Sequence, residues 1–196
     1  MSTPYEATGR TQQKARTRRA LIDAARALMA EGVIPTVEQA AERAEISKTT
    51  SYRYFQNQRE LILATWPQLE APSVLGPDAP EDPRDRLDAA VEHLTAQIQE
   101  FEPELRAQLW LSLDPATDRE SLPLRQGRAI GWYEDALSPL RDRMSKAELR
   151  RLAVAIRAAT GIEAFVWLVD IAGLDRDEAA ESMRWSARAL LDAAIV

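Results

Sequence analysis

The hydrophobic positions along the chain recur every three to four residues, which is the period of an α-helix. Near the N-terminus one apolar stripe predicts helix 1, and Gly32 stands just past it as a C-terminal cap. Thr36 followed by Gln39 is the signature of a capping box, and small residues at helical spacing after it predict a short helix 2. The stripe of helix 1 consists of Leu21, Ala24, Ala25, Leu28 and Met29.

Two more capping signals follow directly. Ser47 can cap a short helix 3 that runs to about Tyr54, and Asn57 with Glu60 opens helix 4 at Gln58. A helix-turn-helix consists of two short helices that cross steeply, so that the second lies in the major groove of DNA while the first braces it. Residues 36–55 fit that unit.

A proline-rich connector separates these helices from the rest of the chain. Residues 67–83 contain Gly76 and five prolines, and prolines break or kink a helix. We therefore place a domain boundary there, with residues 1–66 as an N-terminal domain and residues 67–196 as a second domain.

The second domain is expected to hold helices 5 to 9. Pro83 opens helix 5, Pro103 opens helix 6, and helix 7 runs to about residue 140. Capping boxes at Ser145 and Asp175 open helices 8 and 9, and helix 8 is expected to continue to Gly173. No stretch of four or more residues alternates convincingly as a strand. The predicted fold is all-α, with about nine helices.

The charge is unevenly distributed along the chain, whose formal net charge is −6. Residues 1–66 hold ten Lys and Arg against seven Asp and Glu, a net charge of +3, which leaves −9 for the remainder. A basic head on an acidic body is expected where one end meets DNA phosphates, although solvated helix faces carry such imbalances too. The basic stretch from Arg10 to Arg19 could reach phosphate or the minor groove, or it could be a solvated tail.

Composition argues against several other classes of protein. Without cysteine, and with His93 as the single histidine, neither a disulfide framework nor a thiolate or histidine-rich metal site is expected. No glycine loop or catalytic constellation suggests an enzyme or a cofactor. The N-terminus lacks the apolar segment of a signal peptide, and no uncharged apolar stretch approaches the roughly 18 to 20 residues that cross a bilayer. We expect a cytoplasmic protein that binds no membrane.

Helix 3 carries the residues that suggest a function. All of its outward side chains can bond phosphates, and Arg53 or Lys48 could pair with guanine in the major groove. An ordinary pair of helices with a polar solvent face is the alternative. The outward side chains are Lys48, Thr49, Thr50, Tyr52, Arg53 and Tyr54.

Residues 17–62 resemble the DNA-binding region of TetR-family regulators. The resemblance rests on an alanine-rich helix 2, a turn that ends in serine, and aromatic residues that close the recognition helix. The matching residues are Ala40, Ala41, Ala44, Ser47, Thr50, Tyr52, Tyr54, Phe55 and Leu61. The DNA-binding set that follows is Thr36, Ser47, Lys48, Thr49, Thr50, Tyr52, Arg53, Tyr54 and Gln58.

The resemblance also implies a role for each group of residues. Phosphate contacts are implied for Thr36 and the start of helix 4, and a core position for Phe55. Base contacts are implied for Thr49, Thr50 and Arg53, and packing on the sugar-phosphate backbone for Tyr52 and Tyr54. Two positions depart from the family pattern, which usually has glycine at Glu45 and lysine at Gln58. A carboxylate near DNA is unfavourable and an amide is a weaker phosphate ligand than a cation, so a modest DNA affinity is expected.

For the second domain, the resemblance implies a small-molecule site and a dimer formed by the last two helices. Residues 161–169 are apolar nearly all round, and a helix of that kind must be buried on every side, by a partner subunit or within a large monomeric core. The expected interface residues are Val166, Asp170, Met183, Ala187 and Leu190. The family topology makes His93, Gln97, Phe101, Trp110, Trp132, Glu163 and Phe165 the candidate ligand-binding residues. Glu163, if buried among apolar neighbours, needs a cationic ligand or an arginine such as Arg128 as its partner.

Together these observations predict a ligand-responsive repressor that acts as a homodimer on a near-palindromic operator. Its partners would be double-stranded DNA, a small-molecule effector and a second copy of the chain. One alternative is an enzyme that uses the second-domain pocket, but no residue pattern supports it. The other is a helical ligand-binding or interaction protein with weak DNA binding, which Glu45 and Gln58 keep open.

Overall fold

The computed structural model describes residues 4–66, 73–113 and 127–195, without the side chains of residues 4–10 and 128. Within these ranges the protein is helical and has no β-strand, which confirms the all-α prediction. The helices are α1 (Pro4–Ala30), α2 (Val37–Arg43), α3 (Lys48–Ser51), α4 (Gln58–Thr65), α5 (Pro83–Glu100), α6 (Glu102–Leu113), α7 (Arg128–Ala136), α8 (Lys146–Thr160), α9 (Ile162–Val166) and α10 (Arg176–Ala194). A 3₁₀ turn (Ser138–Leu140) follows α7, and a π-helical turn (Trp167–Ile171) follows α9.

The predicted helix starts are confirmed by their hydrogen bonds. The Thr36 hydroxyl accepts from the Gln39 amide at 3.2 Å, while the Gln39 side chain accepts from the Thr36 amide at 2.9 Å. The same reciprocal pair forms between Ser145 and Glu148, and capping also occurs at Ser47, Asn57 and Asp175. Each cap satisfies amides that the first turn of a helix leaves unpaired, and stabilises the protein by about 1 kcal/mol.

Four helices differ from the sequence prediction. Helix α3 ends at Ser51 rather than near Tyr54, and α7 ends at Ala136, before the 3₁₀ turn that reaches Leu140. Helix α1 begins at Pro4, far ahead of the apolar stripe, because the preceding residues are rich in the helix formers alanine, glutamine, lysine and arginine. The expectation that helix 8 continues to Gly173 is wrong at Gly161, where the backbone is extended with ψ 174° and α8 ends. The helical path then resumes as α9. Gly173 follows its end, and its φ of 74° is the left-handed conformation of a helix C-cap.

The first four helices pack around a small apolar cluster. The alanines of α2 are fully buried against α1, and their small size lets the two helices approach closely. Phe55, 2% exposed, closes the cluster from the segment after α3. Its buried members are Leu21, Ile22, Ala24, Ala25, Val37, Ala40, Ala41, Phe55 and Leu61.

Helices α5, α7, α8 and α10 form the main bundle of the second part of the chain. A second cluster joins α5, α6, α9 and α10 through Ile98, Leu105, Phe165 and Met183. A third, made of Met29, Ile62, Ala107 and Leu111, packs α6 against α1 and α4. Helix α6 therefore touches both the N-terminal helices and the bundle. The buried residues of the main bundle are Leu87, Ala90, Val91, Leu94, Trp132, Tyr133, Ala136, Leu137, Leu140, Leu149, Leu152, Ala153, Ile156, Ala187 and Leu191.

One described segment is long and apolar enough to cross a membrane by length and composition alone. It covers residues 146–171 and has a most apolar window of mean hydropathy 1.7. Leu152, Ala153 and Ile156 of this segment are buried in the main bundle. One face of α8 therefore packs in the bundle, whereas Val154, Trp167 and Ile171 of the same segment are exposed.

Candidate nucleic-acid interface and ligand cavity

Helices α2 and α3 are joined by a tight turn. The Ile46 amide donates to the Ala41 carbonyl at 2.9 Å, and Glu45 has the left-handed φ of 55°. Helix α3 is a single turn, but hydrogen bonds from Tyr54 and Phe55 back to the Ser51 carbonyl extend the recognition segment to Phe55. Ser51 and Phe55 are buried, so they anchor this segment while its other residues face outward.

The predicted DNA-binding side chains are mostly exposed. Thr50 and Tyr54 are half-buried, and Tyr54 packs against the core of the first four helices. The Ser47 hydroxyl donates to the Thr50 hydroxyl at 2.9 Å, so these two side chains hold one another. The exposed members are Thr36, Ser47, Lys48, Thr49, Tyr52 and Arg53.

Glu38, on α2, binds two of these side chains. Its carboxylate forms an ion pair with Lys48 and accepts a hydrogen bond from the Tyr52 hydroxyl at 3.1 Å. The bond from Lys48, and then that from Tyr52, lowers the pKa of Glu38, and the same contact raises the pKa of Lys48. All three side chains are exposed, so the contact fixes orientation more than it stabilises the fold. Sequence reasoning missed Glu38 because the two helices meet only after folding.

The side chain of Gln58 hydrogen-bonds within the protein. Its amide donates to the Pro35 carbonyl at 3.2 Å and lies 3.5 Å from the Ile34 carbonyl. These contacts join the start of α4 to the residues just before Thr36. Gln58 is placed to position Thr36 rather than to reach outward.

The helices that form this surface, α1 to α4, match the model of a known protein family. A family model described as bacterial regulatory proteins, tetR family, matches residues 21–65. The match begins at Leu21, the first buried residue among the described side chains of α1, and ends at the last residue of α4.

Residues 21–65 therefore form a DNA-binding domain of the tetR-family type. This domain supports a DNA-binding transcription regulator, and the proteins of the tetR family are regulators rather than enzymes. No curated protein matches the chain. Within the described residues, no group of three or more His, Cys, Asp or Glu side chains could hold a metal ion.

The tetR-family head sits next to a cavity of about 100 Å³ in the second part of the chain. Two predicted ligand-binding residues, Gln97 and Trp132, line it, together with residues that sequence reasoning missed. Trp66 closes the side near α4, and Arg157 contributes a cation. The described lining residues are Trp66, Leu94, Gln97, Ile98, Leu105, Gly127, Ala129, Trp132, Tyr133, Arg157, Thr160, Gly161 and Ile162.

A directed chain of hydroxyl groups lies in the cavity wall. The Thr160 hydroxyl donates to the Ile156 carbonyl at 2.8 Å, so the Tyr133 hydroxyl, 2.6 Å away, donates to Thr160. Burial raises the pKa of Tyr133 to about 12. The phenol is therefore neutral at physiological pH, and its oxygen keeps a lone pair.

Arg157 and Glu163 form an ion pair across the break between α8 and α9. Arg157 Nη1 donates to Glu163 Oε2 at 3.0 Å, directly over Gly161. A Cβ atom at Gly161 would require the ends of both side chains to move. The Glu163 side chain is 52% exposed and its partner is Arg157, so the expectation of a buried carboxylate is wrong. The side chain of Arg128 lies outside the described residues.

The other predicted ligand-binding residues lie elsewhere. His93 is exposed beside a second, open cleft and hydrogen-bonds Gln97 at 2.9 Å. Phe101 packs edge-on against Trp66, with ring centroids 6.0 Å apart, and so supports the cavity from behind. Trp110 is 48% exposed on α6, and Phe165 is fully buried in the core.

Helix α6 connects the cavity to the head through polar contacts as well. Arg26 of α1 donates to the Thr65 carbonyl at the end of α4 at 2.5 Å and 3.1 Å, and its Nε lies 3.7 Å from Glu104 of α6. Leu105, the next residue of α6, lines the cavity. A displacement of α6 by a ligand would therefore act on both α1 and α4.

The residues predicted for a dimer interface divide into two groups. Met183 and Ala187 are buried inside the protomer, at 0% and 1% exposure. Val166 and Leu190 are half-buried, and Asp170 accepts two hydrogen bonds from Arg106 at 2.6 Å and 2.8 Å. The large apolar side chains that α8, α10 and the π-helical turn expose are Val154, Trp167, Ile171 and Trp185.

Proposed function

We propose that this regulator is a ligand-responsive repressor that binds a near-palindromic operator as a homodimer in the cytoplasm. In this proposal residues 1–66 form the DNA-binding domain, and residues 67–196 bind the effector and dimerise. The observation that carries the proposal is the position of α6, which lines the cavity with Leu105 and packs on the head with Ala107 and Leu111.

For DNA recognition, α3 would lie in the major groove with Thr49, Thr50 and Arg53 towards the bases. Tyr52 and Lys48 would contact the sugar-phosphate backbone in the orientation that Glu38 gives them. Thr36 would bind phosphate, held in place by the contact of Gln58 with Pro35. Two such heads, related by two-fold symmetry, would meet half-sites about one helical turn apart.

For the dimer, the exposed apolar side chains of α8, α10 and the π-helical turn support a partner surface. Trp167 and Trp185 are 57% and 72% exposed, and aromatic side chains of this size are enriched where subunits meet. In this proposal Val166, Asp170 and Leu190 flank the interface, while Met183 and Ala187 support it from inside the protomer.

For the effector, the cavity favours a small molecule with an apolar body. Trp66, Trp132, Leu94, Ile98 and Ile162 supply most of the wall, and Gln97, Tyr133 and Arg157 are the polar groups that could orient a ligand. Binding that moves α6 would change the separation of the two heads. A coupling of roughly 1 to 3 kcal/mol is typical of such regulators.

The test is selection of duplexes from a random pool by the purified protein at moderate salt. We expect a near-palindrome to be enriched, and Arg53→Ala and Tyr52→Ala to weaken its binding about 5- to 150-fold, since a good base or backbone contact contributes about 1 to 3 kcal/mol. Arg151→Ala is the matched control, because Arg151 is an exposed arginine of α8. The absence of any enriched sequence, or enrichment that survives Arg53→Ala unchanged, would refute the proposal.

A further inference from the structure

Residues 11–20 of α1 contribute no side chain to a buried core. Each of these side chains is exposed or half-buried, and Leu21 is the first buried one among the described side chains of α1. Because α1 begins at Pro4, about 25 Å of helix precedes Leu21. A helix surface without a buried face is available to a partner.

The charge of this segment, residues 11–20, is of one sign. It carries Lys14, Arg16, Arg18 and Arg19, and no acidic residue lies between positions 7 and 22. Lys14 and Arg18 stand four residues apart on one face of the helix, where like charges repel one another. An anionic partner would relieve that repulsion. The acidic residues that give residues 67–196 their net charge of −9 lie outside this segment.

The segment leaves the head beside the recognition segment. The Arg18 guanidinium lies over the ring of Phe55, 5.3 Å from its centroid, and Phe55 directly follows Tyr54. Lys14 is one helical turn further out on the same face, about 6 Å along the axis. Arg18 therefore lies at the end of the recognition segment, and Lys14 continues the basic face of α1 away from it.

We propose that residues 11–20 of α1 bind the phosphate backbone of DNA next to the operator, without reading its sequence. An α-helix about 10 Å wide does not fit a minor groove about 6 Å wide, so the helical conformation leaves the phosphates as the partner. The inference rests on DNA binding by the helix-turn-helix, and it adds contacts beyond that unit. These contacts raise the affinity for any duplex and make it more salt-dependent.

The test compares two triple variants with the wild type. Lys14→Gln, Arg16→Gln and Arg19→Gln remove three cations and keep helix propensity, while Arg18 stays because it packs on Phe55. The control carries Arg141→Gln, Lys146→Gln and Arg151→Gln, which are exposed cations of the second part of the chain. Binding is measured against salt on the selected operator and on a random duplex, both extending a full turn beyond each half-site.

We expect the slope of log Kobs against log salt to become shallower by about 2 to 5 in the first variant, on both duplexes, because each lost phosphate contact contributes about 0.9. Affinity at low salt should fall at least tenfold, and the control should match the wild type. Circular dichroism checks the helix content, and the double variant Lys14→Gln/Arg19→Gln repeats the measurement if the triple variant does not fold.

Slopes equal to those of the wild type would overturn the inference, even where the operator is still preferred. A change in the mass of the DNA-free protein, with unchanged DNA slopes, would overturn it as well and assign the segment to a protein interface. Failure of the proposed repressor function looks different: no duplex is preferred over random DNA, although the triple variant still lowers the slope.

Discussion

The carboxylate of Glu38, on the first helix of the helix-turn-helix, binds the ammonium group of Lys48 at the start of the second. A negative charge thus lies inside a surface that meets phosphates, and it restrains one of the cations on that surface. Glu38 also accepts a hydrogen bond from the Tyr52 hydroxyl. One acidic side chain therefore orients two predicted DNA contacts.

Replacing Glu38 distinguishes two effects of this side chain on DNA binding: the orientation of Lys48 and Tyr52, and its own negative charge. We expect Glu38→Gln to raise affinity for random duplex DNA several-fold at low salt, since a negative charge is lost and Lys48 is freed. The preference for the operator over random DNA should fall, because Lys48 and Tyr52 lose their common anchor. Glu42→Gln removes an equally exposed charge from the same helix and should leave the preference unchanged. Competition binding at two salt concentrations measures both quantities.

Glu45 holds a backbone conformation that favours glycine. At φ 55° a side chain costs roughly 1 to 2 kcal/mol, partly offset by the greater freedom that glycine has in the unfolded chain. We expect Glu45→Gly to stabilise the protein by about 0.5 to 1 kcal/mol in urea unfolding. Glu45→Gln, which keeps the strain, should have little effect on stability, and both variants should bind DNA more tightly at low salt. A destabilising Glu45→Gly would contradict this account of the turn.

The ends of the Arg157 and Glu163 side chains lie over Gly161. We expect Gly161→Ala to change the stability by less than about 1 kcal/mol, because a Cβ there displaces only these flexible side-chain ends and weakens their ion pair. Gly131 has open space around it inside α7, so Gly131→Ala should instead stabilise the protein by about 0.5 to 1 kcal/mol. Thermal unfolding of the two variants should show the larger increase in Tm for Gly131→Ala.

Tyr133 makes stability depend on alkaline pH. Its pKa is about 12 in the folded protein and 10.0 when unperturbed, so the unfolded chain loses this proton first as pH rises. The contribution of Tyr133 to the free energy of unfolding is therefore complete below pH 10. It decreases between pH 10 and 12, by up to roughly 3 kcal/mol. Tyr133→Phe should cost about 1 kcal/mol at neutral pH through the lost bond to Thr160. Urea unfolding at pH 9 and pH 11 should show a smaller loss in this variant than in the wild type.

Trp185 tests the proposed dimer. It is 72% exposed on α10, so Trp185→Glu should leave the protomer folded while it places a charge in the partner surface. We expect sedimentation to show a monomer and operator affinity to fall at least tenfold, because two half-sites are then no longer bound together. Trp110→Glu, at a tryptophan that is 48% exposed on α6, is the matched control and should stay dimeric. A dimeric Trp185→Glu would move the interface elsewhere.

The sequence by itself determined the helix starts and the nature of the head. Capping at Thr36, Ser47, Asn57, Ser145 and Asp175 depends on hydrogen bonds between residues three or fewer positions apart, which a linear pattern contains. The identities that fix the helix-turn-helix are just as local, and the family match covers those helices.

Only the tertiary structure decided which side chains meet. Trp66 and Gly127 reach one cavity from positions about sixty residues apart, Glu38 faces Lys48 across a turn, and Met183 proves to be core. The sequence did not predict the length of α1, because helix formers alone do not show where an unpacked helix begins or ends. It did not predict the break at Gly161 either, where the side chain of Arg157 lies over the backbone. Such contacts depend on helix packing, and packing is set by the whole folded chain rather than by neighbouring residues.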